Sequence, residues 1–477
     1  MKKLPLCVDC DGTLLRTDLL HEAVFRLMKQ SLFSLLLLPY WLLRGKAFMK
    51  AQLADRVIID ATLLPYNESL INYLKSARDE GRQIILATAS HHKFAKAVAE
   101  HLGIFNKVVA TDSNMNLSGS NKANLLVEMF GERGFDYVGN SRVDLNVWRH
   151  AAGAVVVNAS TSLANEVAQV CKLIKIFPLE SRQLSHYLKA LRLHQWLKNI
   201  LIFLPLLAAH KVTDFQLATN AIEAFLAYGL CASSVYLLND LLDLPSDRSH
   251  PRKRNRPFAS GAIPIAHGVL LIPLLLAAAF AISVMLPSLF LLVLFSYYLV
   301  TLIYSIWLKN YMLIDVISLA GLYTFRIIAG AAATNIAPSF WLLAFSMFLF
   351  LSLALVKRYS ELLIVLQENK VNASGRGYHV SDLPLLMSLG ITSGFLSVLV
   401  MALYLNSPDV NKLYENPQIL WIILPFLLYW ISRAWLKAHR GEMHDDPVIF
   451  AVQDRISIYT AFVISVVILL ATNIRIP

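Results

Sequence analysis

Cysteine is scarce in this chain. The four residues are Cys7, Cys10, Cys171 and Cys231 in a sequence of 477, too few and too scattered for a disulfide framework. Cys7 and Cys10 form a CxxC, but no second CxxC exists to complete a zinc site. They flank Asp9 on what reads as a buried strand, so packing is the expected role of both. Charge is also scarce, at 16% of residues against 56% apolar, with a mean hydropathy of +0.54. Soluble globular chains rarely average so high, so membrane spans are expected. Acids are outnumbered, 32 to 43, leaving a net charge of +11. The bases sit between apolar runs, which argues against a nucleic-acid partner and for basic loops beside a membrane. The start, "MKKLPLCVDCDGT", turns polar too soon for a secretory signal. No internal repeat of the kind found in transporters stands out.

What is present divides into two halves. Residues 1–180 mix charged and apolar positions, with strand-like runs "LCVD", "QIILATA", "KVVAT", "FDYVGN" and "GAVVVN" separated by helical stretches. That alternation predicts a parallel α/β sheet. From residue 185 the chain reads as an all-α membrane domain of about nine spans, near 197–210, 216–240, 266–286, 288–307, 312–334, 338–357, 384–406, 418–437 and 456–473. Each approaches the ~20 residues needed to cross the apolar core. With residues 1–196 in the cytoplasm, fourteen Lys and Arg from Arg248 to Arg455 fall on inside loops and three, Lys211, Lys412 and Arg475, fall outside. The asymmetry predicts an inner-membrane, multi-pass protein with a cytoplasmic N-terminal domain. The apolar run "LFSLLLLPYWLL", 32–43, is too short to span and predicts a buried or interfacial helix.

In the first half, "VDCDGT" puts Asp9 and Asp11 at a strand end. The pattern resembles the first motif, DxDGT, of the haloacid dehalogenase superfamily. Thr88 ending "IILAT", Lys122 in "SGSNKANLL", and Asn140 and Asp144 in "GNSRVD" match the later motifs in order. The resemblance implies a Rossmann-like phosphatase domain with a helical cap over about 15–75. Asp9 would be the nucleophile on phosphorus and Asp11 the acid and base. Thr88 would bind phosphate, Lys122 would neutralise charge, and Asp9, Asp11, Asn140 and Asp144 would surround Mg2+. The family usually has Asp where this chain has Asn140, so the metal would meet one charge fewer.

In the second half, Asp240, Asp243 and Asp247 follow a long apolar run at i, i+3 and i+7, one face of a helix if it continues past Pro245. Clustered carboxylates at a membrane mouth repel one another unless a cation sits between them. Magnesium prefers such oxygens and leaves room for diphosphate, and Arg252, Lys253, Arg254 and Arg256 are suited to phosphate. "NDLLDLPSDRSHPRKRNRP" resembles the UbiA-type intramembrane prenyltransferase superfamily, in the variant NDxxDxxxDxxHPxKxxRP of the decaprenyl-phosphate phosphoribosyltransferases. "LRLHQWLKN", "YSIWLKNYMLIDV…FRIIAG" and "KRYSEL" agree with that variant. The aromatic-acid prenyltransferases carry a second aspartate-rich motif after the fourth helix, where this chain has only Asp315.

The resemblance implies Mg2+-dependent transfer of phosphoribosyl from 5-phosphoribosyl 1-diphosphate to a polyprenyl phosphate. Asp240 and Asp243 are the catalytic candidates, with Asp247 as a further metal ligand. Arg192, Lys198, Asn239, His250, Lys253, Arg256, Tyr304, Lys309, Arg326, Lys357 and Arg358 are the substrate-binding candidates. The soluble domain would remove the 5-phosphate from the lipid product. An aromatic prenyltransferase using polyprenyl diphosphate, and a non-catalytic scaffold or transporter, are the alternatives. Asp315 and Arg326 are eleven residues apart on one helix face, about 16 Å along the axis at ~1.5 Å per residue, so they do not pair. Arg326 needs either a phosphate or an acid from another helix, and Lys357 and Glu361 have i, i+4 spacing. Asp445, Asp446 and Asp454 are either a second wall of the metal site or loop caps.

Overall fold

The computed structural model describes residues 3–178, 184–367, 377–443 and 446–473. The chain forms two compact units: Met1–Leu191 with Tyr236–Ile272, and Arg192–Val235 with Pro273–Pro477.

The first unit is built on a six-stranded parallel sheet: β1 (Leu6–Val8), β2 (Ile84–His91), β3 (Lys107–Thr111), β4 (Asp136–Gly139), β5 (Gly153–Ala159) and β6 (Lys172–Pro178), in the order β3-β2-β1-β4-β5-β6. The five strand-like runs of the sequence are β1–β5. Alternation along each strand feeds two cores. Leu6, Val8, Leu86 and Val155 pack into one face, Cys7, Ile85, Tyr137 and Val156 into the other. Cys7 and Cys10 belong to opposite faces, and all four cysteines are free and buried. Burial pushes the Cys7 thiol up to about 12, as expected of a packing residue. Between β1 and β2 lie the helices Leu19–Gln30, Leu38–Leu43, Lys46–Arg56 and Glu68–Asp79. Asp18 starts the first by accepting hydrogen bonds from Leu20 N and His21 N.

Among the described residues eight helices, not nine, are long and apolar enough to cross a membrane: Phe215–Leu242, Ile265–Ser283, Ser288–Ile306, Ile314–Thr334, Phe340–Gln367, Val380–Leu405, Pro417–His439 and Arg455–Thr472. In lipid each backbone polar group must be satisfied within its own segment, which is why these runs are helices. The span expected near 197–210 is instead the end of a short apolar helix, Leu193–Ala208. Its first half commits Lys198 and Asn199 to polar partners, leaving too few consecutive apolar residues to span. The segment lies directly against Ile314–Thr334. A Cβ on Gly330 would stand 1.9 Å from the Ile202 carbonyl oxygen, so only glycine permits the approach.

Candidate functional site

Sheet topology sets the first candidate site. The loop leaving β1 turns at Gly12, whose φ is +72°. A Cβ there would meet Asn140 Nδ2 at 2.2 Å, so only glycine serves both the turn and the neighbour. The turn brings the β1, β2 and β4 ends together. Lys122 Nζ lies 2.7 Å from Asp9 Oδ1 and 2.8 Å from the Tyr137 hydroxyl. Ser90 Oγ donates to Asp11 Oδ2 at 2.6 Å, and Leu19 N to Asp11 Oδ1 at 2.9 Å. Thr88 is fully buried, its hydroxyl accepting from Ser90 N. Burial, partly offset by Lys122, pushes the Asp9 carboxyl up to about 6. Burial, reinforced by the charges of Asp18 and Asp9, pushes Asp11 up to about 7. Burial opposes charge on Lys122, yet Asp9 and Asp144 hold its ammonium above the usual range.

Asp144 is differently employed. Its Oδ2 accepts from Asn140 N, Ser141 N and Ser141 Oγ, and its Oδ1 from the Tyr137 hydroxyl. Two buried carboxylates two residues apart suit a divalent cation at Asp9 and Asp11, and the Asn140 amide, packed against Gly12, is a further oxygen candidate.

The charged segment after Phe215–Leu242 also belongs to the first unit. The helix stops at Leu242, and Pro245 lies in the first turn of a new helix, Leu244–Ser249. The three aspartates therefore do not form one stripe. Asp240 and Asp247 converge on Arg256, whose Nη1 lies 3.2 Å from Asp240 Oδ1 and 2.7 Å from Asp247 Oδ2. Asp243 instead meets Lys29 of Leu19–Gln30 at 2.7 Å. Burial raises the Asp247 carboxyl, with Arg256 pulling the other way. Asn239 Oδ1 is buried and has no hydrogen-bond partner among the described residues. An orphaned amide oxygen beside carboxylates is a donor set that fits magnesium. No three of the described acidic, His or Cys side chains already form a metal-holding group, so Mg2+ would take its remaining ligands from diphosphate and water. His250 Nδ1 accepts from Arg252 N and Lys253 N, shaping a turn on which Arg252, Lys253 and Arg254 are exposed.

In the second unit the polar candidates sit inside the helices. Arg326 donates to Asn199 Oδ1 at 3.0 Å and to the Leu322 carbonyl, with the rings of Tyr228, Tyr297 and Tyr323 at 5.3–5.7 Å. Asp315 pairs with Arg358 at 2.5 Å and accepts from the Tyr378 hydroxyl. Arg358 also pairs with Glu361. Lys198 pairs with Asp446, which also caps the helix Pro447–Gln453. Asp454 caps the next helix through Ser457 and forms a two-pronged pair with Arg433. Asp446 and Asp454 are thus loop caps held by cations. Asp445 lies outside the described residues. Arg192, Tyr304, Lys309 and Lys357 are partly buried.

Sequence reasoning missed Tyr137, which bridges Lys122 and Asp144, and Ser90, which holds Asp11. It also missed Glu22 and Arg248, a pair with no local signature. Arg248 sends Nη2 to Glu22 Oε1 at 2.6 Å and Nη1 to Oε2 at 3.2 Å, and Thr17 completes the Glu22 shell.

Residues 200–453 match the UbiA prenyltransferase family. The "Uncharacterized protein y4nM" of Sinorhizobium fredii is 37% identical over 96% of this chain and 89% of its own length. The "Decaprenyl-phosphate phosphoribosyltransferase" of Mycolicibacterium smegmatis is 35% identical over 44% of this chain and 67% of its own. A solved UbiA homolog from Archaeoglobus fulgidus, bound to GPP and Mg2+, is 16% identical with a TM-score of 0.45, covering 59% of this chain and 99% of that one. The chain belongs to the UbiA prenyltransferase family.

Proposed function

We propose that this protein transfers 5-phosphoribosyl from 5-phosphoribosyl 1-diphosphate to a polyprenyl phosphate at the cytoplasmic face of the inner membrane. The observation that carries the reading is the convergence of Asp240 and Asp247 on Arg256 beside the orphaned Asn239 oxygen, next to a turn of exposed cations. The name of the mycobacterial relative supports it. Asn239, Asp240 and Asp247 would hold Mg2+, joined by Asp243 if it leaves Lys29, and the bound ion would supply charge neutralisation to the departing diphosphate. Arg252, Lys253 and Arg256 bind diphosphate oxygens as point-charge and forked donors. Arg256 is held by Asp240 and Asp247; with its guanidinium on diphosphate, those two carboxylates would be left to hold the metal. The lipid phosphate is already anionic near neutrality and attacks the ribose carbon without a strong base. Lys198, Arg192 and Arg326 are the candidates to hold it.

The soluble domain is read as a phosphatase of the haloacid dehalogenase type that removes the 5-phosphate from the lipid product. Asp9 lies where a nucleophile stands at the end of β1, and Lys122 holds its charge. Asp11, two residues on and held by Ser90 and Leu19 N, is placed to give and take a proton at the leaving oxygen. Purified protein incubated with Mg2+, polyprenyl phosphate and labelled phosphoribosyl diphosphate should yield a labelled lipid. A product formed instead from polyprenyl diphosphate and an aromatic acid would replace this reading with an aromatic prenyltransferase.

A further inference from the structure

The cap of the soluble domain carries an apolar surface that its own fold does not cover. Between β1 and β2, the 3-10 turn Leu32–Leu37 and the helix Leu38–Leu43 turn one ring inward: Trp41 is 3% exposed. Leu38 also packs against the core, while much of the remaining run faces out. Phe33 is 82% exposed, Leu36 74% and Leu43 88%, with Tyr40 and Leu42 at least half exposed. Single exposed apolar residues are ordinary, but a contiguous patch on one short segment marks a contact surface.

Charge on the same surface indicates what covers it. Within the run and its immediate flanks, Ser31 to Lys46, the chain has no acid, and its charges are Arg44 and Lys46. Arg44 and Lys46 are exposed directly beyond the apolar run. Apolar side chains bordered by cations suit an anionic bilayer surface, where the rings and methyls enter the headgroup boundary and the bases meet phosphate. The location agrees. Lys29 pairs with Asp243, the residue after the span Phe215–Leu242, and Leu32 is three residues beyond Lys29. The run thus begins about 10 Å of chain beyond Lys29, whose partner follows directly on an apolar helix.

We infer that the cap segment Leu32–Leu43 docks on the lipid surface of the membrane the chain itself spans, inserting Phe33, Leu36 and Leu43 among anionic headgroups. The contact would hold the mouth of the soluble site against the bilayer, where a lipid-linked substrate presents its head. It stands whether or not that site is a phosphatase.

The test uses the full chain reconstituted in vesicles of phosphatidylethanolamine and phosphatidylglycerol. A fluorophore on a cysteine at Leu36 or Leu43 is compared with one at Ser76, an exposed position on Glu68–Asp79. Lipids brominated high on the acyl chain should remove most of the emission at Leu36 and Leu43 and leave Ser76 unchanged. Replacing phosphatidylglycerol by phosphatidylcholine, or introducing Arg44→Gln with Lys46→Gln, should weaken the quenching. Emission at Leu36 and Leu43 that brominated lipid leaves intact overturns the inference. A signal then shielded from water in proportion to protein concentration would assign the patch to a second copy of the chain.

Discussion

Arg248 and Glu22, 226 residues apart in the chain, form a two-pronged ion pair in which each side chain is only 6% exposed. Arg248 also donates to the Ala259 carbonyl, and Glu22 accepts from Thr17. The pair ties the helix Leu19–Gln30 to the charged segment after Phe215–Leu242. Removing one partner strands a buried charge, so Glu22→Gln or Arg248→Ala should cost about 3–5 kcal/mol. Thermal unfolding of the purified protein measures this. A paired Glu22→Leu, Arg248→Met variant should recover much of the loss, whereas equal loss in single and paired variants would mean that the pair is not the cause.

Asp240 and Asp243 are proposed to serve the metal and the departing diphosphate. Asp240→Asn and Asp243→Asn should each lower transfer at least a thousandfold, on the scale of ~1.4 kcal/mol of barrier per tenfold, with circular dichroism unchanged. Chelating magnesium should do the same to wild type. Lys29→Ala, which removes only the partner of Asp243, should keep transfer within about tenfold of wild type. Near-normal rates in both aspartate variants would remove these residues from the site.

For the soluble site, mass spectrometry of the lipid products is decisive. Wild type should release some dephosphorylated lipid-linked ribose, and Asp9→Asn should accumulate the 5-phosphorylated form while transfer continues. Asn140→Asp should lower the magnesium concentration needed for half-maximal phosphatase activity, because a charged oxygen replaces an amide at the β4 loop. Identical lipids from wild type and Asp9→Asn would leave the domain without this activity.

Asp454 gives a pH signature. Its hydrogen bonds to Arg433, working against burial, hold the carboxyl down at about 2. A depressed carboxyl stabilises the fold above its unfolded value of about 4 and loses that contribution as pH falls towards 2. The unfolding temperature should therefore drop more steeply between pH 4 and 2, roughly that window, in wild type than in Asp454→Asn. Parallel curves would contradict the assignment.

Topology is open to thiol labelling because all four native cysteines are buried. With the charged segment cytoplasmic, cysteines at Ser249 and Ser407 should be reached from opposite sides of the membrane. Labelling of both from one side would reject that arrangement.

The sequence by itself determined local matters. The short apolar runs "IILATA" and "GAVVVN", set between helical stretches, gave strands buried on both faces, and long uninterrupted apolar runs gave spanning helices because lipid leaves the backbone no other partner. Asp9 and Asp11 at a strand end were legible because "DCDGT" directly follows the short apolar run that becomes β1. Strand β6 was not, since it is an exposed edge whose lysines blur the pattern. The expected span at 197–210 failed because Lys198 and Asn199 are committed to Asp446 and Arg326, partners that no local window contains. Only the tertiary structure decided which charge meets which. It sent Asp315 to Arg358, turned Asp243 from its neighbours to Lys29, and closed Glu22 on Arg248. Pairing among buried charges is set by distance in space under a heavy desolvation cost, and distance in space is what a linear chain does not state.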